Sequence, residues 1–206
     1  MPFLSFLISN IYNGCYNRNK ELHFHKRSWV GKKTEMMCEE GIDPMFFVNS
    51  RAIIERDFNN ERQIVIQTRN KPNEPLKIEL PGGRIEPFES LVQALRREVK
   101  EETGLEVTEV EGEDTRIDTT GINPEFEVEC IKPFGAYQTL KGPIDSVGYY
   151  FRCRAEGEIL KFGDETTDIK WVNIKELSEL ISSNPLQFSN VDRAGILYYL
   201  KQLEKE

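Results

Sequence analysis

The stretch GGRIEPFESLVQALRREVKEETGL, Gly82 to Leu105, constrains the fold more than any other part of this 206-residue chain. A glycine turn runs into one amphipathic helix, and both ends of that helix are written in the sequence. Ser90 suits the N-cap, Gln93 three residues on completes a capping box, and Gly104 suits the left-handed position that ends a helix. Leu91, Val92, Leu95 and Val99 recur with the helical period and predict one face turned to a core. One turn further on, the stripe changes character. Glu98 and Glu102 continue the line of Leu91 and Leu95, with Glu101 beside them.

Carboxylates so spaced repel one another. At about 6 Å and an effective dielectric near 20, each ionised pair costs roughly 3 kcal/mol. Such a patch is stable when fully solvated or when a cation neutralises it, and clustered hard oxygen ligands suit Mg²⁺ or Mn²⁺. For a bare E-x-x-E-E the solvated helix end is the plainer reading.

The flanking residues reverse that preference. Gly83, Glu89, Arg97, Glu98, Val99, Glu101, Glu102, Gly104 and Leu105 fill every position of G-x5-E-x7-R-E-U-x-E-E-x-G-U, where U is aliphatic. The chain thereby resembles the Nudix hydrolases, and Leu80-Pro81-Gly82 resembles their usual approach to this box. The resemblance implies an α/β fold, an α/β/α sandwich over a mixed β-sheet. It implies hydrolysis of a pyrophosphate bond in a nucleoside diphosphate linked to another group, with Mg²⁺ or Mn²⁺ as cofactor. By the same resemblance the Gly82 carbonyl, Glu98 and Glu102 bind metal, and Glu101 assists directly or through water. Arg97 and Glu89 form a supporting pair. The catalytic base falls either on the helix or on a distant loop, and Glu165, before the Trp171 strand, is the acid named for it. Two other functions stay open: a Nudix-fold protein that senses a nucleotide metabolite without turnover, and removal of pyrophosphate from RNA 5′ ends.

Composition narrows the partners. With 38% hydrophobic and 30% charged residues the chain can bury an ordinary core. A net charge of −8 disfavours nonspecific binding to nucleic acid. Cys15, Cys38, Cys130 and Cys153 form no C-x-x-C and read as reduced thiols of a cytoplasmic protein, although sequence does not exclude a disulfide. No segment has the length and apolarity of a membrane span, and PFLSFLIS lacks the flanks of a signal peptide.

Residues 1–41 read as a basic extension ahead of a Nudix domain at 42–206. Between Arg18 and Lys33, Arg18, Lys20, Lys26, Arg27, Lys32 and Lys33 face the single acid Glu21, and His23 and His25 read as surface histidines rather than a metal site. The segment could pack on the domain, pack on a second subunit of a homodimer, or form a disordered arm. Met45–Ile54 and Gln63–Thr68 predict a hairpin around Asp57–Asn60, and Leu76–Leu80 a short strand into the glycine turn. Arg69, at the second strand's end, is the candidate for a substrate phosphate. Later, Phe126, Val128 and Cys130 alternate, and Pro133–Leu140 pairs with Val147–Arg154 across residues 141–145. Tyr149, in the run Tyr149-Tyr150-Phe151, is the candidate for stacking on a nucleobase, with core packing as the alternative. A strand at Ile169–Val172 and two helices, Lys175–Ile181 and Val191–Leu203, close the chain. The last is expected to carry Asn190 as cap and to bury Ile196, Leu197, Leu200 and Leu203.

Overall fold

The structure is a computed structural model that describes residues 46–206. The readings made on the basic extension, on His23 and His25, and on Cys15 and Cys38 lie outside the described residues.

Strand β1 (Phe46–Phe58) and β2 (Glu61–Arg69) form the expected hairpin, closed by Asn59 and Asn60 alone. Both asparagines take positive φ, 52° and 62°, the twist a two-residue hairpin needs and one that asparagine tolerates. β3 (Lys77–Glu79) lies on β2, and β4 (Gly82–Arg84) pairs with the early half of β1. Helix α1 (Leu91–Thr103) then crosses to β5 (Glu106–Val110). After a small two-stranded ribbon, β6 (Ile117–Asp118) with β7 (Glu129–Cys130), come β8 (Gly135–Gln138) and β9 (Asp145–Glu156). β10 (Phe162–Gly163), β11 (Thr166–Asn173), α2 (Ile174–Ser183) and α3 (Asn190–Leu203) complete the order.

The main sheet runs β10-β11-β2-β1-β9-β5. β1 and β9 are parallel from Phe46↔Asp145 to Ile54↔Cys153, while its other pairings are antiparallel, so the sheet is mixed. The alternation of β1 splits the core. Ala52 and Ile54 join Val92, Leu95, Val99 and Phe151 on the α1 side, and Ile53 joins Tyr150, Leu177, Ile196 and Tyr199 on the α2–α3 side. The result is the α/β/α sandwich.

Two expectations need correction. The alternation of Phe126, Val128 and Cys130 is not a core-facing strand, since only Glu129–Cys130 pairs and Phe126 and Val128 are exposed. The buried stripe of α3 is Ile196, Tyr199, Leu200 and Leu203, with Leu197 turned to solvent and Ser189, not Asn190, as the cap. Gly195 explains the rotation: an added Cβ would lie 2.4 Å from the Tyr150 ring, so the helix seats on the sheet along that line.

Candidate active site

Both ends of α1 are fastened by local hydrogen bonds. Ser90 Oγ accepts the Gln93 amide at 3.1 Å, Gln93 Oε1 accepts the Ser90 amide at 3.2 Å, and Gly104 ends the helix at φ 80°. The Leu91 amide donates to Glu129 Oε1 at 2.7 Å, so the β6–β7 ribbon also supplies an acceptor for the helix N-terminus. With Val92, Leu95 and Val99 buried in the sheet, the next turn carries its glutamates onto the glycine turn.

That turn lies against β1. Gly82 has φ +130°, and a Cβ there would sit 2.3 Å from the Ser50 carbonyl oxygen, so only glycine fits. A Cβ on Gly83 would sit 2.5 Å from the Glu98 carboxylate, which therefore rests directly on the backbone. Glu102 Oε2 accepts the Gly82 amide at 2.7 Å and the Gln67 amide nitrogen at 2.8 Å. Two carboxylates thus flank the Gly82–Gly83 peptide. Glu101 is half-exposed beside them.

Arg97 draws these acids together. Its Nε and Nη2 donate to the two oxygens of Glu89 at 2.8 and 2.9 Å, and Nη2 also reaches the Arg84 carbonyl at 3.1 Å. Nη1 bridges Glu98 at 2.8 Å and Glu101 at 3.3 Å. The hydrogen bonds to Glu89 raise the guanidinium pKa, and their counterpart holds the Glu89 carboxyl below its usual value. This two-bond fork is the geometry by which arginine fixes a carboxylate and a loop together.

Beneath the turn lies a buried charge cluster that the sequence reading missed. Arg51, Glu79, Glu102 and Asp192 are all buried, with Gln67 among them. Arg51 Nη1 donates to the Gly82 carbonyl at 2.6 Å and the Leu80 carbonyl at 3.1 Å. Burial works against its charge, but Asp192, Glu79 and Glu102 outweigh it and raise the guanidinium pKa. Burial pushes the Glu102 carboxyl up to about 8, with Arg51 opposing and Glu79 reinforcing. Glu79 is raised for the same leading reason. One signal was available in the sequence: a charged residue, Arg51, inside a run of strand-forming apolar residues.

The remaining candidates are placed apart from the glutamates. Arg69 ends β2 and binds Glu74 at 2.7 Å, with Glu79 at 3.8 Å. Tyr149 packs half-buried against the core on the α1 side of β9, while Tyr150 and Phe151 are buried. Glu165 takes φ 50° in the β10–β11 turn, where its side chain pairs with Lys71. That turn does touch α1: the Asp164 amide donates to the Glu101 carbonyl at 3.1 Å, and Thr166 Oγ1 to the Glu102 carbonyl at 3.1 Å.

Among the described residues, no three acidic, histidine or cysteine side chains stand already grouped around a cation. Each glutamate is instead satisfied by Arg97, Gln67 or the Gly82 amide. The donor chemistry still fits a hard divalent ion, since the groups gathered along this peptide are all oxygens and positive charge already bridges two of them. The NUDIX domain profile matches residues 49–193. The chain belongs to the Nudix family. Nudix enzymes are hydrolases of nucleoside diphosphate derivatives and generally work with divalent cations. The chain is 32% identical over 101 residues to the nucleoside triphosphatase NudI of Enterobacter sp. (strain 638), a stretch covering 49% of this chain and 64% of that relative. Among solved structures, a MutT NUDIX hydrolase from Burkholderia pseudomallei matches with a TM-score of 0.52 at 16% identity, over 74% of this chain and 96% of that one. The NUDIX domain of Shewanella oneidensis NrtR, solved with ADP ribose, matches with a TM-score of 0.52 at 14% identity, over 78% and 90%. These two likenesses are of fold.

Proposed function

We propose that this Nudix protein is a metal-dependent hydrolase that cleaves the pyrophosphate bond of a nucleoside diphosphate linked to another moiety. The observation that carries the reading is the pair Glu98 and Glu102 flanking the Gly82–Gly83 peptide, with Arg97 tying Glu98 and Glu101 to the loop acid Glu89. Glu98, Glu101, Glu102 and the Gly82 carbonyl would hold Mg²⁺ or Mn²⁺. When bound, the cation neutralises phosphate charge and acidifies water. The chain's own part is alignment: Arg97 and Glu89 keep loop and helix in register, and glycine at 82 and 83 lets the backbone seat directly against β1 and the Glu98 carboxylate. Glu165 is the proposed base, on a turn bonded to the Glu101 backbone through Asp164. The substrate class is a nucleotide sugar, an ADP-ribose-like compound or a nucleoside triphosphate. The triphosphatase activity named for the Enterobacter relative and the ADP ribose bound by the Shewanella neighbour support this range.

The test is release of nucleoside monophosphate together with the other phosphorylated product across such a panel with Mg²⁺ and Mn²⁺. Chelation should abolish release, and either cation should restore it. Full activity in excess chelator would remove the metal from the mechanism. Metabolite binding without release by any panel member would favour a sensor. Glu165→Gln should keep metal binding and lose about 10²-fold or more in rate; a rate within a few-fold of the parent would take the base away from this turn.

A further inference from the structure

The Gly82 carbonyl faces a cation that belongs to the chain. Arg51 Nη1 donates to it at 2.6 Å and to the Leu80 carbonyl at 3.1 Å, spanning both sides of Pro81. Arg51 is itself buried, and its Nε faces Asp192 Oδ1 at 3.8 Å. That nitrogen and that oxygen have no other partner, and with Gln67 Oε1 they are the buried side-chain polar atoms left unpaired among the described residues. Asp192 is fully buried in the first turn of α3, braced by Ser189, whose Oγ accepts the Asp192 amide at 3.2 Å and whose hydroxyl meets Oδ2. The same turn is bonded to the sheet twice more. Ser189 donates its amide to the Ile78 carbonyl at 2.8 Å, on the strand leading into the glycine turn, and the Tyr150 hydroxyl donates to the Val191 carbonyl at 2.6 Å. A stripe of α3 therefore reaches from the far layer of the sandwich to the glycine turn through one arginine.

We propose that Arg51 is a positioning residue for the hydrolysis, fixing the Gly82 carbonyl beside Glu98 and Glu102, and that Asp192 of α3 holds Arg51 in that place. The inference rests on the metal reading given above. A lysine at 51 supplies one ammonium where the guanidinium spans two carbonyls and still faces Asp192, so charge alone is no substitute. An asparagine at 192 keeps the shape and removes the charge that faces Arg51.

The experiment measures Mn²⁺ affinity by titration, melting temperature, and kcat and KM on the best substrate of the panel, using the full chain. The variants are Arg51→Lys, Asp192→Asn and the paired Arg51→Met with Asp192→Leu, and Arg154→Met on an exposed ion pair is the control. The paired change leaves no uncompensated buried charge at these two positions, so it should fold even if a single variant does not. Expected are Mn²⁺ affinities about 10–100-fold weaker in all three, with kcat falling and nucleotide KM within about twofold. Arg154→Met should match the parent. Parental Mn²⁺ affinity and kcat in any folded variant at 51 or 192, the paired one included, would overturn the inference. A parent that binds no Mn²⁺ would instead overturn the metal reading beneath it.

Discussion

Glu102 places a carboxylate where charge is costly, and its titration should show in stability. Burial pushes its carboxyl from 4.5 up to about 8. A carboxyl that holds its proton more tightly folded than unfolded contributes stability fully below the unfolded value, and that contribution is lost as pH rises through the folded value. In chelator, Glu102→Gln should therefore gain melting temperature over the parent as pH moves from about 5 to about 8.5, because glutamine accepts the same bonds without ionising. A gap that stays constant across that range would refute the assignment. Added Mn²⁺ should stabilise the parent and leave the variant largely unmoved. The glutamates and Arg97 could be named from sequence because their spacing lies within one helix and one loop. Beyond the hint of a charged Arg51 in an apolar strand, the cluster of Arg51, Glu79, Gln67 and Asp192 could not, since what makes it a cluster is contact among residues far apart in the chain. Arg69 and Tyr149 follow from residue type and Glu165 from its place in a loop that the resemblance points to, and the structure seats none of their side chains on the glutamates.

Among the elements, α1 was the most legible because its caps are short-range chemistry, and capping box and left-handed glycine both stand where the pattern puts them. The last helix was less so. Its period is helical, but which stripe faces inward depends on the surface it meets, and a glycine opposite Tyr150 decides that. Gly195→Ala should push a methyl into a ring that is bonded to Val191 and packed on Tyr137 at 5.5 Å, so the ring has little room to yield. The expected loss is about 1–3 kcal/mol in urea unfolding. Unchanged stability would mean that α3 shifts freely over the sheet. The alternation of Phe126, Val128 and Cys130 did not fix which residues are buried for a related reason: alternation can face water on both sides, and here Phe126 and Val128 are exposed.

At the scale of the molecule, the α/β/α layers were legible through the Nudix resemblance, and the strand order was not read from the sequence. The parallel pairing of β1 with β9 was not legible, because nothing local distinguishes a parallel from an antiparallel neighbour. Every proposed metal ligand lies between Gly82 and Glu102. Removing residues 1–41 should therefore leave specific hydrolytic activity within about twofold of the full chain. A large loss from a truncated protein with parental melting behaviour would place substrate or subunit contacts in the basic segment. The glycine turn itself is laced to the sheet. The Ala52 amide holds the Pro81 carbonyl at 2.8 Å, the Gly82 amide holds a buried carboxylate, and no side chain separates its backbone from β1. Amides so placed exchange with solvent only when the sheet opens, so the cradle's order belongs to the folding transition and not to the encounter with ligand. Substrates would meet a surface already set, and selectivity among them would fall to the looser segments around its rim.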